Sequence, residues 1–254
     1  MHSKLNLHMN PITLLFLLSF LSCQTIPTSS SKIISERITH IGKSYDVVKV
    51  DLNQTNLRMH WLDKSQQRHA SLGNLKRALA ADQQYLSFAM NGGMYLKNGT
   101  PQGLYIENGK QVTPLDTIQN AYGNFYLQPN GVFFLKENEG GVISSNAFQQ
   151  LNSSTIQYAT QSGPMLVIDG NIHSAFREGS SNLHIRNGVG QISETELVFI
   201  ISNERVNLYE FAQLFKDHFK CPQALYLDGF VSRAYIPDLK REDLDGNFGV
   251  IISN

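Results

Sequence analysis

Three stretches of this chain carry side chains able to do chemistry. Residues 177–187 gather Arg177, Glu178, Asn182, His184, Arg186 and Asn187 within eleven positions. The apolar run Leu225-Tyr226-Leu227 leads into Asp228-Gly229, with Ser232 close behind, and Leu86 to Met90 leads into Asn91-Gly92-Gly93. A carboxylate such as Asp228 or Glu178 can move a proton, attack carbon, or steady a developing positive charge. Arginine's planar fork suits bidentate contact with phosphate or carboxylate. Histidine titrates near neutral pH and can carry a proton. Each stretch also has a plainer reading. A strand-end Asp-Gly is most often a turn, Gly92-Gly93 could simply permit an unusual backbone angle, and residues 177–187 could be a solvated loop.

The elements that must hold these residues are mostly strands. Leu57, Met59 and Trp61 alternate with Arg58 and His60, the period of a half-buried strand, and Tyr45 to Leu52 has similar β-branched character. Asn108-Gly109, Asn130-Gly131 and Asp169-Gly170 each lie between apolar runs, as tight hairpin turns do. Gln161-Ser162-Gly163-Pro164 reads as the opening of another hairpin. Asp228-Gly229 differs, because Phe230 and Val231 follow without a matched return strand. Two helices are expected. Ser71 can cap a segment carrying Leu72, Leu75, Ala78 and Leu79 on one stripe. Asn207 and Glu210 form a capping-box pattern ahead of Leu208, Phe211, Ala212, Phe215 and Phe219, with Pro222 as the stop. That aromatic stripe reads as core. No fixed repeat interrupts the chain beyond residue 33, so the pattern predicts a single α+β domain over 34–254: a mixed, largely antiparallel sheet with a few packed helices. Functional clusters then sit on loops at strand ends, held by a rigid sheet.

Composition narrows the function classes. With 21 basic and 21 acidic side chains in 254 residues, the net charge is +0, which leaves no basic field for nucleic acid. Two cysteines make neither a disulfide framework nor a four-cysteine zinc site. The eight histidines show no metal-ligand spacing. There is no phosphate-binding glycine loop, nucleophile elbow or zinc-protease helix. No cofactor and no metal are expected.

The N-terminus reads as an address. Lys4 precedes an apolar run from Ile12 to Leu21, too short to span a bilayer but suited to a secretory signal. The run ends in Phe20-Leu21-Ser22-Cys23, which is similar to a bacterial lipobox, with Cys23 as the lipid acceptor. Residues 1–22 are then the signal peptide and 23–33 a Ser/Thr/Pro-rich tether. Gln24 after Cys23 points to the outer membrane, the domain facing the periplasm and touching membrane only through its anchor. Cys221 is left as a buried thiol.

Taken together, six blocks resemble the phosphodiester glycosidase domain family, in the family's order from about residue 36 to the C-terminus. They are Asn91-Gly92-Gly93-Met94-Tyr95; Gly123 to Tyr126 with Pro129 to Phe133; Thr160 to Leu166; Phe176 to Ser180; Ile185 to Gly190; and Leu225 to Gly229. The likeness is to the bacterial envelope branch. One departure stands out: Phe230-Val231 precede Ser232 where family members commonly continue with small residues. The resemblance implies hydrolysis of a sugar joined to phosphate through its anomeric carbon, with a glycosyl phosphodiester as partner. It implies that Asp228 is the carboxylate at the sugar, Glu178 a second acid/base, and His184 a proton donor. Arg177 and Arg186 would hold the phosphate and Asn91 a sugar hydroxyl. Gly92, Gly93, Gln161, Asn187, Gly229 and Ser232 would complete the binding surface. The alternative is a non-catalytic glycan- or sugar-phosphate-binding lipoprotein of the same fold.

Overall fold

The computed structural model of the chain describes residues 1–2, 33–229 and 231–254. The apolar N-terminal run, Cys23, the tether before Ile33 and Phe230 lie outside the described residues. The described residues from Ile33 to Asn254 form one compact unit.

Three sheets build it, and every strand pairing among the described residues is antiparallel. The first sheet runs, in spatial order, Ile33–His40, Lys43–Asp51, Glu196–Ser202, Asn187–Gln191, Gln223–Tyr226, Met165–Ile168 and Asn171–Ile172. The second runs Arg241–Glu242, Ala234–Ile236, Ala89–Asn91, Ile251–Ser253 and Arg58–His60. The third runs Lys110–Thr113, Tyr105–Glu107, Tyr158–Ser162, Gly131–Leu135 and Gly140–Ser144. The α+β expectation holds, with three sheets in place of one.

Strand alternation explains how the sheets pack. Val48, Val50, Phe199 and Ile201 meet Met59, Met90 and Ile252 of the second sheet and Phe133 and Leu135 of the third in one central core. Their neighbours Val47, Val198 and Ile200 point the other way. There they meet Phe211, Phe215 and Phe219, so the first sheet is buried on both faces. Each such fully buried side chain contributes about 1.5–3 kcal/mol. Helix α1 (Leu72–Ala81) covers the outer face of the second sheet, with Leu72 and Leu75 against Ala89, Tyr235 and Ile251.

The expected caps form. Ser71 accepts from the Asn74 N–H at 3.1 Å, and Asn207 and Glu210 close a reciprocal capping box. A short α2 spans Ser145–Phe148, and α3 spans Leu208–Gln213 before continuing as a π-turn over Leu214–His218. Asn108-Gly109 and Asp169-Gly170 are tight hairpin turns, with positive φ at both residues (51° and 74°; 49° and 75°). Two expected hairpins are absent. Asn124–Tyr126 is a 3-10 turn, so Asn130-Gly131 opens a strand instead of joining two. Gly163-Pro164 carries the chain from the third sheet to the first. At Gly163-Pro164 a turn-forming dipeptide marks a change of sheet, and at Asn130-Gly131 the start of a strand that pairs elsewhere, distinctions that depend on long-range pairing. Cys221 is buried, and burial pushes its thiol up to about 12.

Candidate functional site

The three sheets meet at the end of the Gln223–Tyr226 strand. The Leu227 carbonyl accepts from the Ser162 hydroxyl of the third sheet at 3.2 Å, and the Leu227 N–H donates to the Asn187 carbonyl at 3.2 Å. Asp228 follows at once, half-buried. Its backbone carbonyl accepts from Asn91 Nδ2 at 3.0 Å. Asn187 Nδ2 in turn donates to the Asn91 carbonyl at 2.9 Å and to Asn91 Oδ1 at 3.0 Å. Ser232 donates to Asn187 Oδ1 and to the Ile185 carbonyl, both at 3.2 Å. The Arg233 N–H also reaches Asn91 Oδ1, at 2.8 Å. Asn91 and Asn187, with Asp228, Ser232 and Arg233 from a third stretch of the chain, thus lock the ends of two sheets together, as buried polar groups must when they are shielded from water.

The glycines serve close approach. A Cβ at Gly229 would overlap the Tyr226 hydroxyl, and one at Gly93 would overlap Thr160 Oγ1 and the Gln161 carbonyl. Gly92 packs its backbone on Val250, to whose carbonyl its N–H donates at 2.8 Å. Neither Gly92 nor Gly93 has positive φ, so the unusual backbone angle considered for this pair is not what the site requires of it.

Arg186 and Gln161 are occupied by the protein itself. Arg186 is 1% exposed. Its Nε donates to the Val206 carbonyl at 2.8 Å, Nη1 to the Tyr226 hydroxyl at 3.0 Å, and Nη2 to the Asn182 carbonyl at 2.8 Å. The guanidinium lies 5.3 Å from the Tyr226 ring centroid. Burial lowers its pKa, and the neighbouring Tyr226 works against that shift. Gln161 Oε1 accepts from the Leu104 and Asp116 N–H groups at 3.0 and 2.9 Å. Its Nε2 donates to the Asp116 carbonyl at 2.8 Å and to Ser145 Oγ at 3.0 Å. Both residues pin backbone near the site where sequence reasoning expected direct contact with ligand.

Two clefts open here. One of about 320 Å³ is lined by His184, Ile185, Arg205, Gly229, Ser232 and Arg233. The other, about 190 Å³, contains Arg177 and an edge of Arg186 with Asn124, Ser180, Asn182 and Tyr209. His184 is exposed, and its backbone bridges to Val206. Partial burial, then the Arg186 and Arg205 charges, lower its pKa. Its imidazole is therefore held neutral near pH 7. Arg177 and Glu178 are exposed on the loop beyond Phe176.

Three further residues belong to this surroundings and were not foreseen. Tyr226 lies between Arg186 and Gly229. Arg205 lines the His184 cleft. Tyr95 has its phenol pKa raised by burial and then by the Asp228 charge, with Arg68 opposing. Tyr95 and Tyr226 both lie inside blocks that carried the family resemblance, so the signal was present at one residue's remove. Arg205 sits in an ordinary polar turn that marks nothing.

Residues 84–248 match the phosphodiester glycosidase family. The chain is 37% identical over 183 residues to the uncharacterized protein YigE of Escherichia coli strain K12, covering 71% of this chain and 69% of that protein. Its fold is similar to the catalytic domain of zebrafish N-acetylglucosamine-1-phosphodiester alpha-N-acetylglucosaminidase, auto-inhibited by its pro-peptide. The TM-score is 0.56 at 15% identity over 87% of this chain and 81% of that one. A hypothetical protein from Synechocystis is similar at TM-score 0.55 and 12% identity, over 87% of this chain and 61% of that one. The sequence blocks and the three-sheet architecture thus point the same way: the chain belongs to the phosphodiester glycosidase family.

Proposed function

We propose that this chain is a hydrolase that removes a sugar from a glycosyl phosphodiester, with Asp228 as the carboxylate at the anomeric carbon. The observation that carries this reading is the position of Asp228, at the junction of all three sheets and beside a cleft rimmed by His184 and Arg205. Such a junction fixes the carboxylate while leaving the adjoining loops free to vary.

The chemistry has definable needs. Breaking the bond between the anomeric carbon and the bridging oxygen develops positive charge on the sugar, which a fixed carboxylate stabilises or captures. The bridging oxygen leaves with the phosphate as a weak base, so cationic hydrogen-bond donors help it more than a strong acid does. Arg177 and Arg205 are exposed at the two clefts and suit that task. Arg186, with Nε, Nη1 and Nη2 each bonded within the protein, positions Tyr226 and the Asn182 loop. The neutral state of His184 makes it better suited to accept a proton from the incoming water than to supply one. Glu178, on the exposed loop beyond Phe176, is the second acid/base. Asn91, held by Asn187 and Arg233, orients the Asp228 segment.

The domain is further proposed to be tethered at Cys23 to the outer membrane, facing the periplasm, on the strength of the lipobox-like segment. Retention of a Cys23→Ser chain in the membrane fraction would contradict that placement.

The test is turnover of a panel of sugar-1-phosphodiesters, beginning with α-N-acetylglucosaminyl ones, followed by phosphorus NMR. Conversion of diester to monoester is expected. No conversion, with thermal protection by the same compounds, would favour a sugar-phosphate-binding protein of this fold, since a ligand selective for the native state raises stability by mass action.

A further inference from the structure

A third cleft, of about 710 Å³, shares no lining residue with the two clefts described above, nor does Asp228 line it. It opens between the Arg58–His60 strand, α1, the loop at Asp63 to His69, and the Glu107, Asn108 and Tyr158 rim of the third sheet. Its size falls within the ~300–1,000 Å³ typical of ligand sites. His60 is two strands removed from Asn91, across Ile251.

The charges at this cleft largely cancel or are already engaged. Lys64 pairs with Asp82 at 2.6 Å. Asp63 Oδ1 accepts from the Ser65 and Gln67 N–H groups at 2.8 and 2.9 Å and so serves its own turn. His60 and His69 meet edge to face at 6.0 Å between centroids. Burial, first of all, holds both imidazoles neutral, His60 down at about 4. Arg58 and Glu107 remain, of opposite sign, and burial raises the Glu107 carboxyl toward its neutral form. An anion finds no net cationic field here. Among the described residues, no trio of His, Cys, Asp or Glu is arranged to hold a metal ion.

What the cleft does offer is a dense set of neutral hydrogen-bonding groups over an apolar floor. His60 Nε2 meets Ser253 Oγ at 2.9 Å, and the Tyr158 hydroxyl donates to Asn108 Oδ1 at 2.6 Å. Leu62 and Leu79 form the apolar floor, with Met59 and Leu75 buried beneath them. A pyranose ring has the complementary build, with C–H faces and hydroxyl edges. An uncharged ligand also leaves the neutral imidazoles undisturbed.

From this arrangement we infer that the His60–His69–Glu107–Tyr158 cleft is a separate binding site for a neutral oligosaccharide, holding a glycan apart from the Asp228 site. The inference stands whether or not Asp228 supports turnover.

Titration calorimetry of the full chain with cellotetraose, maltotetraose and chitotetraose tests it. Saturable binding of at least one is expected. It should weaken at least tenfold in His69→Phe, which keeps the ring and removes both nitrogens, and in Glu107→Ala, and should stay within twofold in Asp228→Asn. Thermal melts identify any variant that has lost its fold, and having two cleft variants keeps the comparison available. Binding of none of the three would overturn the inference. So would binding that both folded cleft variants leave intact, or binding that Asp228→Asn abolishes, since the sugar would then occupy the Asp228 site.

Discussion

At the scale of single residues, the site divides into side chains that face the clefts and side chains that hold them. Asp228 adjoins Gly229 of the His184 cleft, on a backbone held by Asn91 at its own carbonyl and by Asn187 at Leu227. Asp228→Asn keeps the size and removes the charge. It should lower turnover at least about 100-fold, the lower range for a positioned acid/base or carboxylate. Turnover within about threefold of wild type would correspond to under 1 kcal/mol of transition-state stabilisation and would remove Asp228 from the mechanism. Residue identities made Asp228, Asn91, Asn187 and Ser232 candidates, and the structure brings all four together. At Arg186 and Gln161 the structure shows protein partners that residue type alone does not reveal. Both are polar and sit within the resemblance blocks, yet their hydrogen-bonding groups are taken by Val206, Tyr226, Leu104 and Asp116. Only three-dimensional pairing reveals which donors are already occupied.

At the scale of elements, local signals were legible wherever their cause is local. Caps at Ser71 and Asn207 and the turns at Asn108-Gly109 and Asp169-Gly170 depend on a few neighbouring residues, and all four form. Asn130-Gly131 and Gly163-Pro164 failed as hairpins because partner choice is decided by distant strands. The way strands are tied together was equally invisible in the sequence. Asp46, fully buried, accepts from Arg37 Nε and Nη2 at 2.6 and 3.1 Å, from Arg241 Nη1 at 3.2 Å and from Asn203 Nδ2 at 3.2 Å. Arg241 also grips Asp243 at 2.8 Å, and Asp243 accepts the Ala234 N–H at 3.1 Å. The network joins the first sheet to the second, one residue from Arg233 and its contact with Asn91. Burial alone would raise Asp46, but the hydrogen bonds from Arg37, Asn203 and Arg241 outweigh it and hold the carboxyl below its usual range. The network's contribution is therefore present at neutral pH and is lost as pH falls through the lowered value. Asp46→Ala should destabilise the fold by about 2–4 kcal/mol in urea denaturation at pH 7. That is below the full effect of breaking a buried pair because solvent can reach Arg37. A loss under about 1 kcal/mol would show that the sheets do not depend on this tie.

At the scale of the whole molecule, three antiparallel sheets enclose one core and converge at Asp228. The α+β class and the family were readable from strand alternation and six ordered blocks. The number of sheets was not, because periodicity reports which face of a strand is buried and not which strand lies beside it. The same packing makes the fold acid-sensitive. His60 faces Ser253, His69 and Arg58, and burial, with the two neighbouring charges adding, lowers its pKa from 6.5 to about 4. Between those values the unfolded chain takes up a proton that the folded chain refuses. Stability therefore falls as pH drops from about 6.5 to 4, by up to about 3 kcal/mol from this residue. Denaturation at pH 7 and pH 4.5 should show the loss, and His60→Gln should reduce it. An equal loss in both chains would assign the acid sensitivity elsewhere.

The central claim is that the chain cleaves at the sugar carbon and not at phosphorus. Turnover of a sugar-1-phosphodiester in water enriched in oxygen-18 tests this directly. If the bond between the anomeric carbon and the bridging oxygen breaks, the solvent oxygen appears on the sugar and the released phosphate monoester keeps its original four oxygens. Phosphorus NMR should then show no isotope-shifted signal, and mass spectrometry should find the label in the sugar. Label in the phosphate would contradict the account, because the chain would then be a phosphodiesterase acting at phosphorus and the role given to Asp228 would be wrong.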